Sequence, residues 1–166
     1  MSANKFKPHV MVLPEDDANR QLVNGFLLDS SLAPRSLQVL EVAGGWTAVL
    51  DRFKSDHIGA MNQYPLRFMV LLIDFDGHED RLNQAKAAIP HDLADRVFVL
   101  GALTEPEELR RAVRSDYGTY EAIGSAMAKD CREGTDTIWS HALLRHNASE
   151  IQRLRQYVQP ILFQPI

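Results

Sequence analysis

Two apolar runs in this sequence end in carboxylates. Phe68-Met69-Val70-Leu71-Leu72-Ile73 passes without a break into Asp74-Phe75-Asp76, and His9-Val10-Met11-Val12-Leu13 passes through Pro14 into Glu15-Asp16-Asp17. An ionised carboxylate at the rim of a core is costly unless a cation, a set of hydrogen bonds or a metal compensates it. Glu15, Asp74 and Asp76 therefore form a candidate site. Brought side by side, three carboxylates repel one another strongly at short range. A hard divalent cation relieves that repulsion, and ligands that are all oxygen favour Mg²⁺ or Mn²⁺ over zinc. Such an ion keeps positions open for water and phosphate, so the chemistry would be phosphoryl transfer. The same three residues are then the candidate catalytic groups and the candidate metal ligands.

Ordinary helix capping competes for some of these acids. Asp16 or Asp17 suits the N-cap of a following helix. Asp76 with Glu79 three residues later fits a capping box, and so does Thr104-Glu105-Pro106-Glu107. Glu107 or Glu108 is a further acid that could serve a second metal. His141 and His146 are the histidines with a route to the acidic site as proton carriers. His146-Asn147-Ala148-Ser149-Glu150 also reads as a helix start, with Asn147 as the cap and Glu150 at the third position.

The elements needed to position the acids are legible as alternating patterns. Strands are expected at His9–Leu13, Ser36–Ala43, Phe68–Asp76 and Arg96–Gly101, with helices at Asp17–Asp29, Trp46–Gln63, His78–Ile89 and Thr104–Val113. The run before Asp74 has no helical gaps and suits a strand buried on both faces. This alternation implies a parallel sheet with right-handed crossovers and helices on both sides. After Ser115 the strand patterns stop. Tyr120–Lys129, Thr137–Leu144 and Ala148–Tyr157 read as helices, Gln159-Pro160 as the end of the last one, and Phe163 as a final anchor. The expected fold is α/β, a three-layer sandwich with a central, mostly parallel four-stranded sheet and a helical C-terminal tail. It is read as one domain, with residues 7–115 as the sheet core and 116–166 as a helical extension packed on it. In open parallel sheets ligands bind beyond the carboxyl ends of the strands. With the first and third strands adjacent, Glu15, Asp74 and Asp76 converge there.

Composition narrows the function classes. The chain has 166 residues, 45% hydrophobic and 24% charged, which suits a soluble globular domain with a proper core. No apolar run approaches the roughly 18–20 residues of a membrane span, and Met1 to Pro8 lacks the apolar stretch of a secretory leader. The single cysteine, Cys131, cannot form an internal disulfide, and its helical spacing from Ile123 and Met127 suits a buried filler. A reducing, cytoplasmic setting is expected. The net charge of −4 argues against a broad basic nucleic-acid footprint. Two local clusters, Arg110, Arg111 and Arg114, and Arg145, Arg153 and Arg155, read as solvated helix faces. Gly44-Gly45 lacks the spacing of a dinucleotide or P-loop motif, no Cys/His set has zinc spacing, and no nucleophile elbow occurs.

A glutamate after the first strand, an Asp-x-Asp after a later one and a four-stranded parallel α/β core together resemble the Toprim fold of topoisomerases, primases and small nucleases. The matching residues are Glu15 and Asp74-Phe75-Asp76, and the likeness covers about Lys7 to Val113. The family's glutamate is usually followed by glycine, where this chain has Asp16. The resemblance implies Mg²⁺- or Mn²⁺-dependent phosphodiester chemistry on nucleic acid. Glu15 would act as acid/base or ligand, the two aspartates as ligands, and Glu107 as the extra acid of the nuclease branch. A small acidic chain without a broad basic surface would also use a protein partner. The stretch from Val10 to Arg20 is similar to a phosphoacceptor receiver domain. There Asp74 would be phosphorylated, Asp16 and Asp17 would hold Mg²⁺, and Thr104 would be the switch hydroxyl. Receivers carry a lysine after a fifth strand, and here the lysine beyond the fourth is Lys129, within a helical pattern. A catalytically silent α/β protein-interaction module is the third reading.

Overall fold

The computed structural model of the chain describes residues 2–163. Four strands, β1 (His9–Pro14), β2 (Leu37–Val39), β3 (Arg67–Leu72) and β4 (Val97–Leu100), form one wholly parallel sheet in the order β2-β1-β3-β4. β1 is buried along its full length, as a central strand covered on both sides must be. The register pairs Val12 with Val70 and Pro14 with Leu72, so β1 and β3 end side by side.

The helices are α1 (Asp17–Phe26), α2 (Trp46–Arg52), α3 (Ile58–Gln63), α4 (Arg81–Ala87), α5 (Pro106–Val113), α6 (Tyr120–Glu133), α7 (Ala148–Tyr157) and α8 (Gln159–Leu162). Side chains alternate across the pleat. Val10, Val12, Val70, Leu72, Phe98 and Leu100 face one layer, where Val23 of α1, Ile151 and Leu154 of α7 and Leu162 of α8 pack. Met11, Leu13, Met69, Leu71, Ile73 and Val99 face the other, against Val49, Phe53, Met61, Ala85 and Leu93. The three layers and the packed helical tail are those the sequence pattern leads one to expect, and Phe163 is buried as the anticipated anchor.

Several boundaries differ for physical reasons. The expected helix Trp46–Gln63 contains a π-helical stretch, Phe53–His57, between α2 and α3. At about 100° per residue, a straight α-helix would rotate Met61 roughly 120° away from Val49. The extra residue of the π turn restores the phase, and Val49, Phe53 and Met61 are all fully buried. β3 stops at Leu72, so Asp74-Phe75-Asp76 lies just past the strand rather than within it. Thr137–Leu144 is a series of turns, not a helix. Buried Asp130 at the end of α6 holds that loop by accepting from the Thr135 hydroxyl and from the Thr137, Ile138 and Trp139 N–H groups. Burial acts to raise its pKa, but those four donors outweigh it and the carboxyl sits below its usual range. Gln159-Pro160 starts the short α8, with Pro160 in its first turn, instead of ending the last helix.

α1 and α6 touch backbone to backbone. A Cβ on Gly124 would lie 1.8 Å from the Leu22 carbonyl oxygen, and one on Gly25 would lie 2.0 Å from that of Glu121. The contact fixes α1, and with it the start of the acidic loop, against the helical tail.

Candidate functional site

β1 and β3 deliver their acids to one place. Where their ladder ends, the Glu15 N–H donates to the Leu72 carbonyl, at 2.8 Å. The next step is made by a side chain: the Asp74 N–H donates to Glu15 Oε2 at 2.6 Å. Glu15 and Asp74 therefore meet because the β1–β3 pairing continues through a carboxylate.

Asp16 is the N-cap of α1, its Oδ1 accepting from the Asn19 N–H at 2.9 Å. Asn19 is fully buried, and its side-chain NH₂ donates to Asp16 Oδ1 at 2.9 Å and to Asp74 Oδ1 at 2.8 Å. One amide thus holds two carboxylates together. Asp17 turns outward to Arg20 and Gln21 and takes no part.

Asp76 is placed differently. Its backbone adopts a left-handed conformation, φ 48°, and Gly77 follows at φ 76°. Its N–H donates to the Thr104 carbonyl, and its carboxylate is half exposed and paired with Arg81 at 2.7 Å. Arg81 also donates to the Asp74 carbonyl oxygen at 2.7 Å, and its guanidinium lies 4.5 Å from the Trp46 ring centre. The expected Asp76–Glu79 capping box does not form, because α4 begins later, after Asp80. Glu107 and Glu108 are exposed on the first turn of α5. Among the described residues no hydrogen bond or ion pair joins either to Glu15 or Asp74. The second expected capping box is also replaced: Glu105, not Thr104, is the N-cap residue of α5, without a side-chain bond.

Electrostatics separates these acids. Burial pushes the Asp74 carboxyl up to about 8, with the Asp16 and Glu15 charges adding to it while the Asn19 amide opposes it. Burial likewise raises Glu15, helped by Asp16 and Asp76 and opposed by the Asp74 N–H and by Arg81. Asp74 is 5% exposed and no cationic side chain bonds its carboxylate among the described residues. Glu15 and Asp74 form the compact part of the cluster, with Asp16 joined through Asn19. Among the described residues no three His, Cys, Asp or Glu side chains are grouped closely enough to hold a metal together. Mg²⁺ does not require three, since it is commonly held by one or two carboxylates plus waters and substrate phosphates.

His146 lies edge-on to Phe75, ring centres 4.9 Å apart, between the two aspartates in sequence. Among the described residues, neither of its ring nitrogens has a hydrogen-bond partner, nor does the Thr104 hydroxyl. Burial holds its pKa below the usual imidazole value, against the opposing Gly101 backbone and Glu79 charge. The His141 ring is spent on the local chain, its Nδ1 accepting from the Leu143 N–H.

Other polar residues shape the edge of the sheet. Asn147 makes no side-chain cap for α7; it bonds both the N–H and the carbonyl of Gly101, at 3.2 Å and 2.9 Å. Glu150, fully buried, accepts from the Val99 N–H at 2.9 Å and pairs with Lys86 and Arg153. These side chains satisfy the edge of β4 where a fifth strand would lie. Arg153 and Arg155 are bound to Glu150 and Asp136 rather than forming a solvated basic face. Asn19, Arg81, Asn147 and Glu150 are the contributors the sequence does not single out for these roles.

Comparison with protein-family models, with curated proteins and with solved structures finds no match for this chain. No described helix is long and apolar enough to cross a membrane.

Proposed function

We propose that this chain is a Mg²⁺- or Mn²⁺-dependent phosphoryl-transfer module of Toprim-like, nuclease type acting on nucleic acid. The observation that carries the reading is Asp74, a nearly buried carboxyl packed against Glu15 and Asp16, to which no cationic side chain bonds among the described residues. A buried carboxyl that burial and two neighbouring carboxylates keep protonated suits a hard divalent ion, which would displace that proton on binding. Bound there, the ion would neutralise phosphate charge and lower the pKa of a water nucleophile.

The chain's own residues divide the remaining work. Glu15 and Asp74 supply the oxygen donors, and Asn19 fixes the Asp74 rotamer from below. With its pKa raised by burial, Glu15 is better suited than a free carboxylate to take and return a proton. Asp76 is paired with Arg81 through Oδ2 alone, so its other oxygen could join the donors while Arg81 stays tied to it and to the Asp74 carbonyl. A protein partner supplying basic surface fits the acidic net charge.

The test is a melt of the full chain with and without Mn²⁺, alongside plasmid nicking and RNA cleavage. Mn²⁺ should raise the melting temperature, Asp74→Asn should abolish that rise, and Glu15→Ala should remove cleavage. The paired state of Asp76 favours a second reading, the catalytically silent interaction module. Mn²⁺ without effect on either melting or cleavage would leave that one standing.

A further inference from the structure

The two edges of the sheet are finished differently. On β4 the side chains of Asn147 and Glu150 take backbone groups of Gly101 and Val99. β2 forms the other edge, paired with β1 alone. The Val10 N–H donates to the Ser36 carbonyl and the Leu40 N–H to the Val12 carbonyl, with Gln38 opposite Met11 between them. Backbone groups of successive strand residues point to opposite sides of the strand. The N–H and C=O groups of Leu37 and Val39 therefore point away from β1, and among the described residues none of the four has a hydrogen-bond partner. Ser2 to Asn4 lie close by, but their N–H groups go to the Gln38 side chain and the Arg35 carbonyl.

An open row of this kind is a template for another strand. Its sequence is complementary to itself. Set antiparallel to a second copy about a two-fold axis at Gln38, Leu37 lies opposite the copy's Val39 and Val39 opposite the copy's Leu37. Both are hydrogen-bonded pairs, so all four free groups of each chain find partners. Moving the axis to Leu37 would set Val39 against Arg35, whose carbonyl already accepts from the Asn4 N–H. The register centred on Gln38 also sets Arg35 against the copy's Glu41. Both residues are exposed, and among the described residues neither has an ion-pair partner within its own chain. A groove of about 500 Å³ runs beside the edge, walled in part by Leu27, Leu32, Leu37 and Val39. Leu27 and its neighbour Leu28 stay 36% and 71% exposed.

We infer that β2 is a self-association edge, at which two copies of this chain pair antiparallel about Gln38 into one continuous sheet. The inference does not depend on metal or catalysis, because the acidic cluster lies beyond the ends of β1 and β3, away from this edge. A strand of three residues offers few hydrogen bonds, so the dimer is weak and depends on concentration.

Sedimentation velocity of the full chain over a range of concentrations should show a monomer–dimer equilibrium. Arg35→Glu or Glu41→Arg alone replaces two attractive pairs with two repulsive ones and should weaken the dimer roughly three- to thirty-fold, and the double exchange should restore it. Gln38→Cys should cross-link to its own copy under mild oxidation, because residues on the axis form a non-hydrogen-bonded pair with Cα atoms about 4.5 Å apart, within the reach of a disulfide. Leu40→Cys, set against Ser36, should not. A chain that stays monomeric at millimolar concentration would overturn the inference. So would a dimer that is indifferent to the charge exchange and cross-links through Gln38→Cys no better than through Leu40→Cys.

Discussion

Asp74 gives this protein an unusual pH dependence. Unfolded, its carboxyl ionises near 3.8; folded, it does so at about 8, chiefly because it is buried. Between those values the folded chain holds a proton that the unfolded chain has released. Stability therefore falls as pH rises through this window and levels off above it. Asp74→Asn removes the titration and keeps an oxygen to accept from Asn19. The variant should melt close to the parent near pH 4 and several degrees higher at pH 8, read by calorimetry without divalent ions. A parent that melts higher than the variant at pH 8 would mean that the carboxylate is already stabilised there. The acids of this cluster were legible in the sequence because a charge at the end of an apolar run has to be explained. Asn19 and Arg81 were not, since a polar residue in the first turn of a helix usually faces water. Their partners lie 55 residues away for Asn19 and at a left-handed loop residue for Arg81.

At the scale of elements, the sheet ends at β4 without a fifth strand because α7 closes that edge with side chains. Asn147 takes both polar groups of Gly101, and Glu150 takes the Val99 N–H. Asn147→Ala strands two buried backbone groups, at about 1–3 kcal/mol for each group left unsatisfied. Hydrogen exchange at the Gly101 amide should quicken accordingly. Glu150→Gln keeps an acceptor for Val99 but loses the ion pairs with Lys86 and Arg153, so it should cost less than Glu150→Ala. Equal losses in the two Glu150 variants would assign the stabilisation to packing instead. The four strands and most helices were legible through apolar period and turn residues. The spacing of Asn147 and Glu150 fits a helix cap, and local spacing carries no trace of a strand edge 46 or 51 residues away. The turns at Thr137–Leu144 were hidden for the same reason: their apolar spacing is helical, but buried Asp130 binds their N–H groups first.

Across the whole molecule the sheet separates a tightly packed layer from a looser one, and no single element encodes the difference. The strand residues of both faces are apolar, Val, Leu and Phe on one and Met, Leu, Ile and Val on the other, so the sequence marks both as core without showing how well either is filled. On the looser side α1 and α6 approach each other backbone to backbone at Gly25 and Gly124. One added methylene distinguishes the faces. Val70 lines a cavity of about 110 Å³ between the sheet and the α1 and α6 layer, Val99 lies on the filled face, and both are β-branched strand residues, so Val→Ile leaves strand propensity almost unchanged at either. At Val70 the new group enters free space and should stabilise by up to about 0.8 kcal/mol, the worth of one buried methylene. At Val99 it meets close-packed neighbours and should cost about 1–3 kcal/mol. Urea unfolding reads the contrast as midpoints that move in opposite directions with an unchanged slope. Midpoints that move together would show that the two layers are equally dense.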